Sequence, residues 1–212
     1  KSFISSESTY SNQKQNRSTV QSDYVLPLGK NSQFEAGFRG NYLTLLSEYR
    51  VEEDLLGDGN FTVNTNFTNT LEYKENVSAL YSQFGSKINK FSYLIGMRFE
   101  DSKIVINQLT TQDFNTKKYD NFFPSAFLTY EIKDGSSVSL NYSKRITRPR
   151  GRFINPFSSY SSNINLFVGN PDLDPSYSDA FDMGYLKKWN KVTLSTSLYY
   201  NKTTGSFQVV RI

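Results

Sequence analysis

Phe91-Ser92-Tyr93-Leu94-Ile95-Gly96-Met97-Arg98-Phe99-Glu100 sets Phe91, Tyr93, Ile95, Met97 and Phe99 against Ser92, Gly96, Arg98 and Glu100. Successive side chains of a strand point to opposite faces, so this stretch reads as a strand with one apolar and one polar face. Ser137 to Ile146 repeats the pattern, with Val138, Leu140, Tyr142 and Ile146 against Ser137, Ser139, Asn141, Ser143 and Arg145. Lys191 to Tyr200 does the same through Val192, Leu194, Leu198 and Tyr200, and Gln33 to Leu46 through Phe34, Ala36, Phe38, Tyr42 and Leu46. Four further stretches fit less cleanly: Thr19 to Leu28, Leu71 to Phe84, Asp120 to Ile132 and Tyr177 to Lys187. With weaker material at residues 3–10 and 207–212, the count is about 8–10 strands.

The connections fall into two kinds. Tight turns are expected at 29–32, 85–90, 133–136 and 188–190, where Gly, Asn and Asp supply the backbone angles of hairpins. Between them lie long polar stretches near 47–69, 101–118 and 147–176. Short and long alternate, which puts all the long connections at one end of the sheet. Transmembrane barrels have short turns on one side, long loops on the other, and strands of about 10 residues alternating apolar and polar. The fold class expected is therefore an all-β, antiparallel up-and-down transmembrane β-barrel, with residues 1–212 as a single segment.

Composition agrees. Hydrophobic residues make up 37% of the chain and the mean hydropathy is -0.55, so no spanning helix is present, yet aromatics reach 16%. There is no Cys and no His, which removes thiol nucleophiles and the commonest general base and metal ligand. No catalytic arrangement emerges, and no enzyme activity, metal, cofactor or nucleic-acid partner is expected; the net charge of +4 demands none.

Three runs carry a resemblance: Arg145-Ile146-Thr147-Arg148-Pro149, Ile154-Asn155-Pro156-Phe157, and Gly169-Asn170-Pro171-Asp172-Leu173-Asp174-Pro175. Together they resemble the barrel of TonB-dependent receptors, most nearly the Bacteroidetes-type outer-membrane β-barrel family, over roughly residues 23–200. The resemblance implies a place in the outer membrane of a Gram-negative cell and one portion of a 22-stranded wall. It also implies a plug inside the barrel and uptake of a nutrient (siderophore, glycan or peptide), energised by an inner-membrane complex or assisted by a surface lipoprotein. The chain opens without an apolar leader and stops at Val209-Val210-Arg211-Ile212, which reads as a piece from within a larger barrel. Two other readings stay open: a structural or secretion-associated barrel whose loops bind protein, and a small complete barrel or soluble β-rich adhesin domain.

Lys144, Arg145, Arg148, Arg150 and Arg152 form a basic run where a strand enters its longest loop. With Asn155 and Tyr160 they are candidates for an anionic ligand, or for lipopolysaccharide phosphates, which suit guanidinium forks. The plainer reading is a loop base paired to nearby carboxylates. Gly169, Asn170, Pro171, Leu173 and Pro175 read as a structural loop motif that redirects the chain. Glu48, Glu52, Glu53, Asp54 and Asp58 form an acidic stretch in another long loop; their spacing matches no calcium loop, and Gly57-Asp58-Gly59 reads as a turn. Tyr42, Tyr73, Tyr93, Tyr142, Tyr185, Tyr199 and Tyr200 are candidates for interfacial girdles.

Overall fold

The computed structural model describes residues 6–133, 135–149, 151–155, 159–160 and 166–210, with 159, 160 and 166 as backbone only. The alternating stretches become long strands: β1 (Ser6–Leu28), β2 (Ser32–Asp54), β4 (Asn69–Ile88), β5 (Phe91–Gln108), β6 (Asp113–Lys133), β7 (Ser136–Thr147), β10 (Ser176–Trp189) and β11 (Val192–Thr204). Short pieces complete the order: β3 (Thr62–Val63), α1 (Gly151–Ile154), β8 (Ser159–Tyr160) and β9 (Leu166–Phe167). The eight long strands pair antiparallel with their sequence neighbours, β1-β2-β4-β5-β6-β7-β10-β11, as an up-and-down sheet. The sheet is open, because β1 and β11 are its two edges and are not paired with each other. A closed eight-stranded barrel is therefore not the arrangement present.

The lower connections are as short as expected, at 29–31, 89–90, 134–135 and 190–191. Gly29 and Asn89 carry positive φ there, at 74° and 55°. At the upper end the strands run further than expected. Residues 101–108 pair with 113–120, which leaves only 109–112 as a turn where a loop over 101–118 was expected. Likewise β2 stays paired to Asp54, so the expected loop 47–69 begins at 55. The cause is a change of phase. Below Glu100 the apolar residues of β5 are the odd ones; above it they are Ile104 and Ile106, with Lys103 and Asn107 on the other face.

Two faces explain the change. The outer face of the lower half carries exposed Ile95, Met97, Phe122, Leu140, Phe181, Met183, Leu198 and Tyr200. The inner face there is polar, with Glu35 accepting from Gln83 and Asn141 donating to Asp182 at 2.9 Å. In the upper half the faces exchange character. Leu71, Tyr73, Ile104 and Ile106 point inward into a core with Ile154, and Leu43, Leu45, Tyr119 and Leu173 pack around it. Outward stand Glu72, Lys74, Asp101, Lys103, Lys118 and Asp120. Tyr73 is thus a core residue, 2% exposed, and Tyr199 faces inward, so neither is a girdle residue.

The border between apolar and charged outer surface runs obliquely. The first outward charge on β4 is Lys74, level with Thr44; that on β11 is Lys202, opposite Asp179. Asp179 lies one position above the row Ala180–Ser143–Ser125–Gly96–Gln83–Glu35, hence level with Ala36. The border therefore slides eight positions (44 minus 36) over five inter-strand steps, about 26 Å along the strands against about 24 Å across them. That corresponds to strands tilted roughly 45° from the membrane normal, as in outer-membrane barrels.

An outer-face charge in the band should be far costlier than an inner one. Leu140→Arg is expected to lower stability in lipid by about 2–4 kcal/mol, and the inward Asn141→Arg by under about 1 kcal/mol. Urea unfolding of reconstituted protein, followed by the heat-modifiable gel shift, measures both.

Candidate functional site

The inner wall is built in register rows. Asp23, Gly37, Tyr81, Arg98 and Phe123 form one row across five strands. Gly37 is needed there because the Tyr81 ring lies flat across it, where a Cβ would meet the ring carbons at 2.5–2.7 Å. Lying over Gly37, Tyr81 donates its hydroxyl to Asp23 on β1, and the Arg98 guanidinium stacks 5.6 Å from its ring. The next rows up are Gln21–Arg39–Ala79–Glu100–Asn121 and Thr19–Asn41–Val77–Ser102–Tyr119.

Glu100 is the hub. It accepts from Arg98 Nε at 2.6 Å through one oxygen and from Arg148 Nη2 at 2.6 Å through the other. Arg148 also donates to Ser102 Oγ at 2.8 Å and lies 5.8 Å from the Tyr119 ring. The side chains of Glu100 and Arg148 are only 9% and 16% exposed. Burial works against the charge of Arg148, but the hydrogen bond and negative charge of Glu100 outweigh it and hold the guanidinium above its ordinary pKa. This ion pair pins the start of the 148–175 connection to the inner wall.

The family-like motif completes that docking. Gly169 N donates to Asn155 O at 2.8 Å and Asn170 N to Phe153 O at 2.7 Å, joining the two ends of the connection. A Cβ on Gly169 would stand 2.5 Å from Asn155 O and 2.6 Å from Phe153 O, so no other residue fits. Asn170 Oδ1 accepts from Asp172 N at 2.9 Å, which turns the chain after Pro171. Leu173 then reaches the core, Lys117 Nζ donates to Leu173 O at 2.8 Å, and Pro175 is buried. Asn155 Oδ1 receives Asn69 Nδ2 at 3.4 Å, tying the same segment to β4.

Beside this latch lies an inner pocket of about 670 Å³, lined by Arg17, Arg39, Tyr73, Glu75, Glu100 and Arg148 among others. Arg17 and Arg39 make no ion pair among the described residues. Tyr73 donates to Glu75 at 2.6 Å on the rim. Asn121 Nδ2 and Arg148 Nε, buried next to the hub, have no acceptor among the described residues.

The basic run does not assemble as one cluster. Arg148 is buried, Lys144 and Arg145 lie on opposite faces of β7, and Arg152 sits 4.5 Å from the Phe167 ring. Arg150 lies outside the described residues, and Tyr160 is placed only by its backbone opposite Leu166. Arg17, Arg39 and Glu75 escape a reading of motifs, because they lie 70 or more residues before any of the three runs. Glu100 stands in the opening stretch as one polar-face residue among several. The acidic stretch is split: Glu48, Glu52 and Glu53 lie in β2, and the turn begins at Asp54, which accepts from Gly57 N at 2.7 Å and Gly59 N at 3.0 Å. Hydrogen bonds from the Asn60 backbone and side chain hold Asp58 below its ordinary pKa.

A tilted antiparallel sheet, apolar outside and polar inside, with a latched inner connection, defines a stretch of transmembrane β-barrel wall. Residues 2–212 match the model of the outer membrane protein beta-barrel family, and the chain belongs to that family. Its place is the Gram-negative outer membrane. No curated protein matches it. Among solved structures it is similar to the ferric citrate transporter FecA in its unliganded form, with TM-score 0.64, 15% identity, and coverage of 91% of this chain and 28% of that one. It is also similar to the ferric yersiniabactin uptake receptor FyuA from Yersinia pestis, with TM-score 0.60, 14% identity, and coverage of 92% and 29%. The alcaligin outer membrane receptor FauA from Bordetella pertussis gives TM-score 0.54, 12% identity, and coverage of 97% and 32%. The chain spans less than a third of the length of each. The shared fold is the barrel of TonB-dependent receptors.

Removing one member of a buried ion pair typically costs about 3–5 kcal/mol. Arg148→Ala is therefore expected to free the connection from the wall and speed proteolytic cleavage within 148–175 by roughly 100-fold, with β-sheet circular dichroism unchanged. A limited-proteolysis time course checks this.

Proposed function

We propose that the chain is part of the wall of an outer-membrane uptake receptor for a nutrient of the siderophore, glycan or peptide class. The carrying observation is the inner pocket at the latch, where, among the described residues, Arg17 and Arg39 make no ion pair and Arg148 Nε has no acceptor. An oxygen-rich ligand, or a plug residue offering oxygen acceptors, supplies what those groups lack. The likeness to transporters and receptors supports the same reading and favours a non-enzymatic role. On this reading the partners are a plug inside the barrel and a TonB-type inner-membrane complex or a surface lipoprotein. Within the expected ligand-binding set, Arg148 lines the pocket and Asn155 ties the connection that closes it.

Cells lacking the gene, compared with cells carrying it, are assayed for uptake of labelled ferric siderophores, oligosaccharides and peptides, with and without an uncoupler. Uptake of one class should disappear on deletion and on uncoupling. Arg17→Glu/Arg39→Glu should reduce that uptake by about tenfold at unchanged surface abundance. If no class depends on the gene and a surface or secreted protein is lost instead, the assembly reading replaces this one.

A further inference from the structure

Just above the apolar band, the outer face of β5 and β6 sorts its charges by height. Phe99 and Phe122 stack across the strands with ring centroids 5.0 Å apart. One step up, Asp101 stands directly opposite Asp120; one more step up, Lys103 stands directly opposite Lys118. Directly opposed side chains have Cβ atoms about 4.5–5.5 Å apart, and like charges so placed are destabilising. Swapping Asp120 with Lys118 in the sequence would turn both like-charged pairs into salt bridges. Neighbouring positions do form such pairs: Lys74 binds Glu72 at 2.7 Å and Arg50 binds Glu52 at 2.6 Å, each two residues apart on one strand. Lys103 and Lys118 have carboxylates at the same spacing, yet both are exposed and neither makes an ion pair among the described residues.

We propose that Lys103 and Lys118 together bind a phosphate of the phosphorylated glycolipid in the outer leaflet, with its acyl chains lying on Phe99 and Phe122. Two ammonium groups on one outward face, with no carboxylate between them, suit the oxygens of one phosphate group. Each step is about 6.6 Å along the strand, or about 5 Å in height at the tilt found above. The lysines therefore lie about 10 Å above the last apolar pair, within the headgroup layer. Asp101 and Asp120 repel phosphate from any deeper position and so fix its height at the lysines. The band to which this height refers is lipid-facing, and the long connections lie on the outer side as in barrels generally. The site faces away from the lumen, so it is independent of the inner pocket and of the uptake reading.

The test uses the protein purified in detergent from its native outer membrane, titrated with bisphosphorylated lipid A and followed by native mass spectrometry. Lys103→Gln/Lys118→Gln should weaken binding roughly tenfold to thirtyfold, and Lys103→Arg/Lys118→Arg should retain it. Dephosphorylated lipid A should bind wild type and the Gln variant alike and weakly. A Gln variant that is folded by the gel shift and binds like wild type overturns the proposal. So does tight binding of dephosphorylated lipid, or displacement of lipid A by millimolar inorganic phosphate, which would make the site a general anion site.

Discussion

Everything in this protein depends on the hydrogen bonding of a backbone that has no water to turn to. In hydrocarbon each unsatisfied peptide group costs several kcal/mol, so a chain without a spanning helix can cross only as a continuous strand ladder. The ladder here is long: β1 and β2 pair without interruption from Ser6↔Asp54 to Leu28↔Ser32. The same requirement makes the exposed edges of β1 and β11 places where a membrane-embedded sheet has to continue into neighbouring strands. Once the ladder fixes the register, side-chain chemistry only decides which face meets lipid.

The register also carries information upward. Above the band the outer surface meets water, and the inner surface has to be closed by something other than lipid. The described parts of the 148–175 connection do this, with Ile154 and Leu173 joining the core on β4 and β5. Apolar contact alone could slide along such a surface. The Glu100–Arg148 pair and the Gly169–Asn155 backbone bond give it one position, and that position shapes the pocket beside it. The family motif is therefore a latch; its Gly, Asn, Leu and Pro each serve the fit of the connection against the wall.

Much of the wall was readable from the sequence, because period two is a direct imprint of lipid on one side and polar lumen on the other. The tight turns were readable for the same local reasons. The upper ends of β2 and β5 were not, since a phase change looks like loss of pattern when one face is assumed to stay apolar. In Lys103-Ile104-Val105-Ile106-Asn107 the strand continues, with Ile104 and Ile106 now inside. Tyr73, a girdle candidate by sequence, joins the core through the same change of phase. The site was less legible than the fold. Arg17, Arg39, Glu75 and Glu100 come together only through pairing across β1, β2, β4 and β5, and no local spacing encodes that meeting.

The absence of native cysteine makes one measurement especially direct. Single cysteines along β5 from Phe91 to Gln108 are spin-labelled in the reconstituted protein, and collision rates with oxygen and with a water-soluble nickel chelate are compared. Oxygen-dominated collisions are expected at positions 91, 93, 95, 97 and 99, weak oxygen access at the alternate positions, and chelate-dominated collisions at 101, 103 and 107. Chelate access to both faces along the whole strand, or an oxygen maximum at even positions, would contradict this pattern.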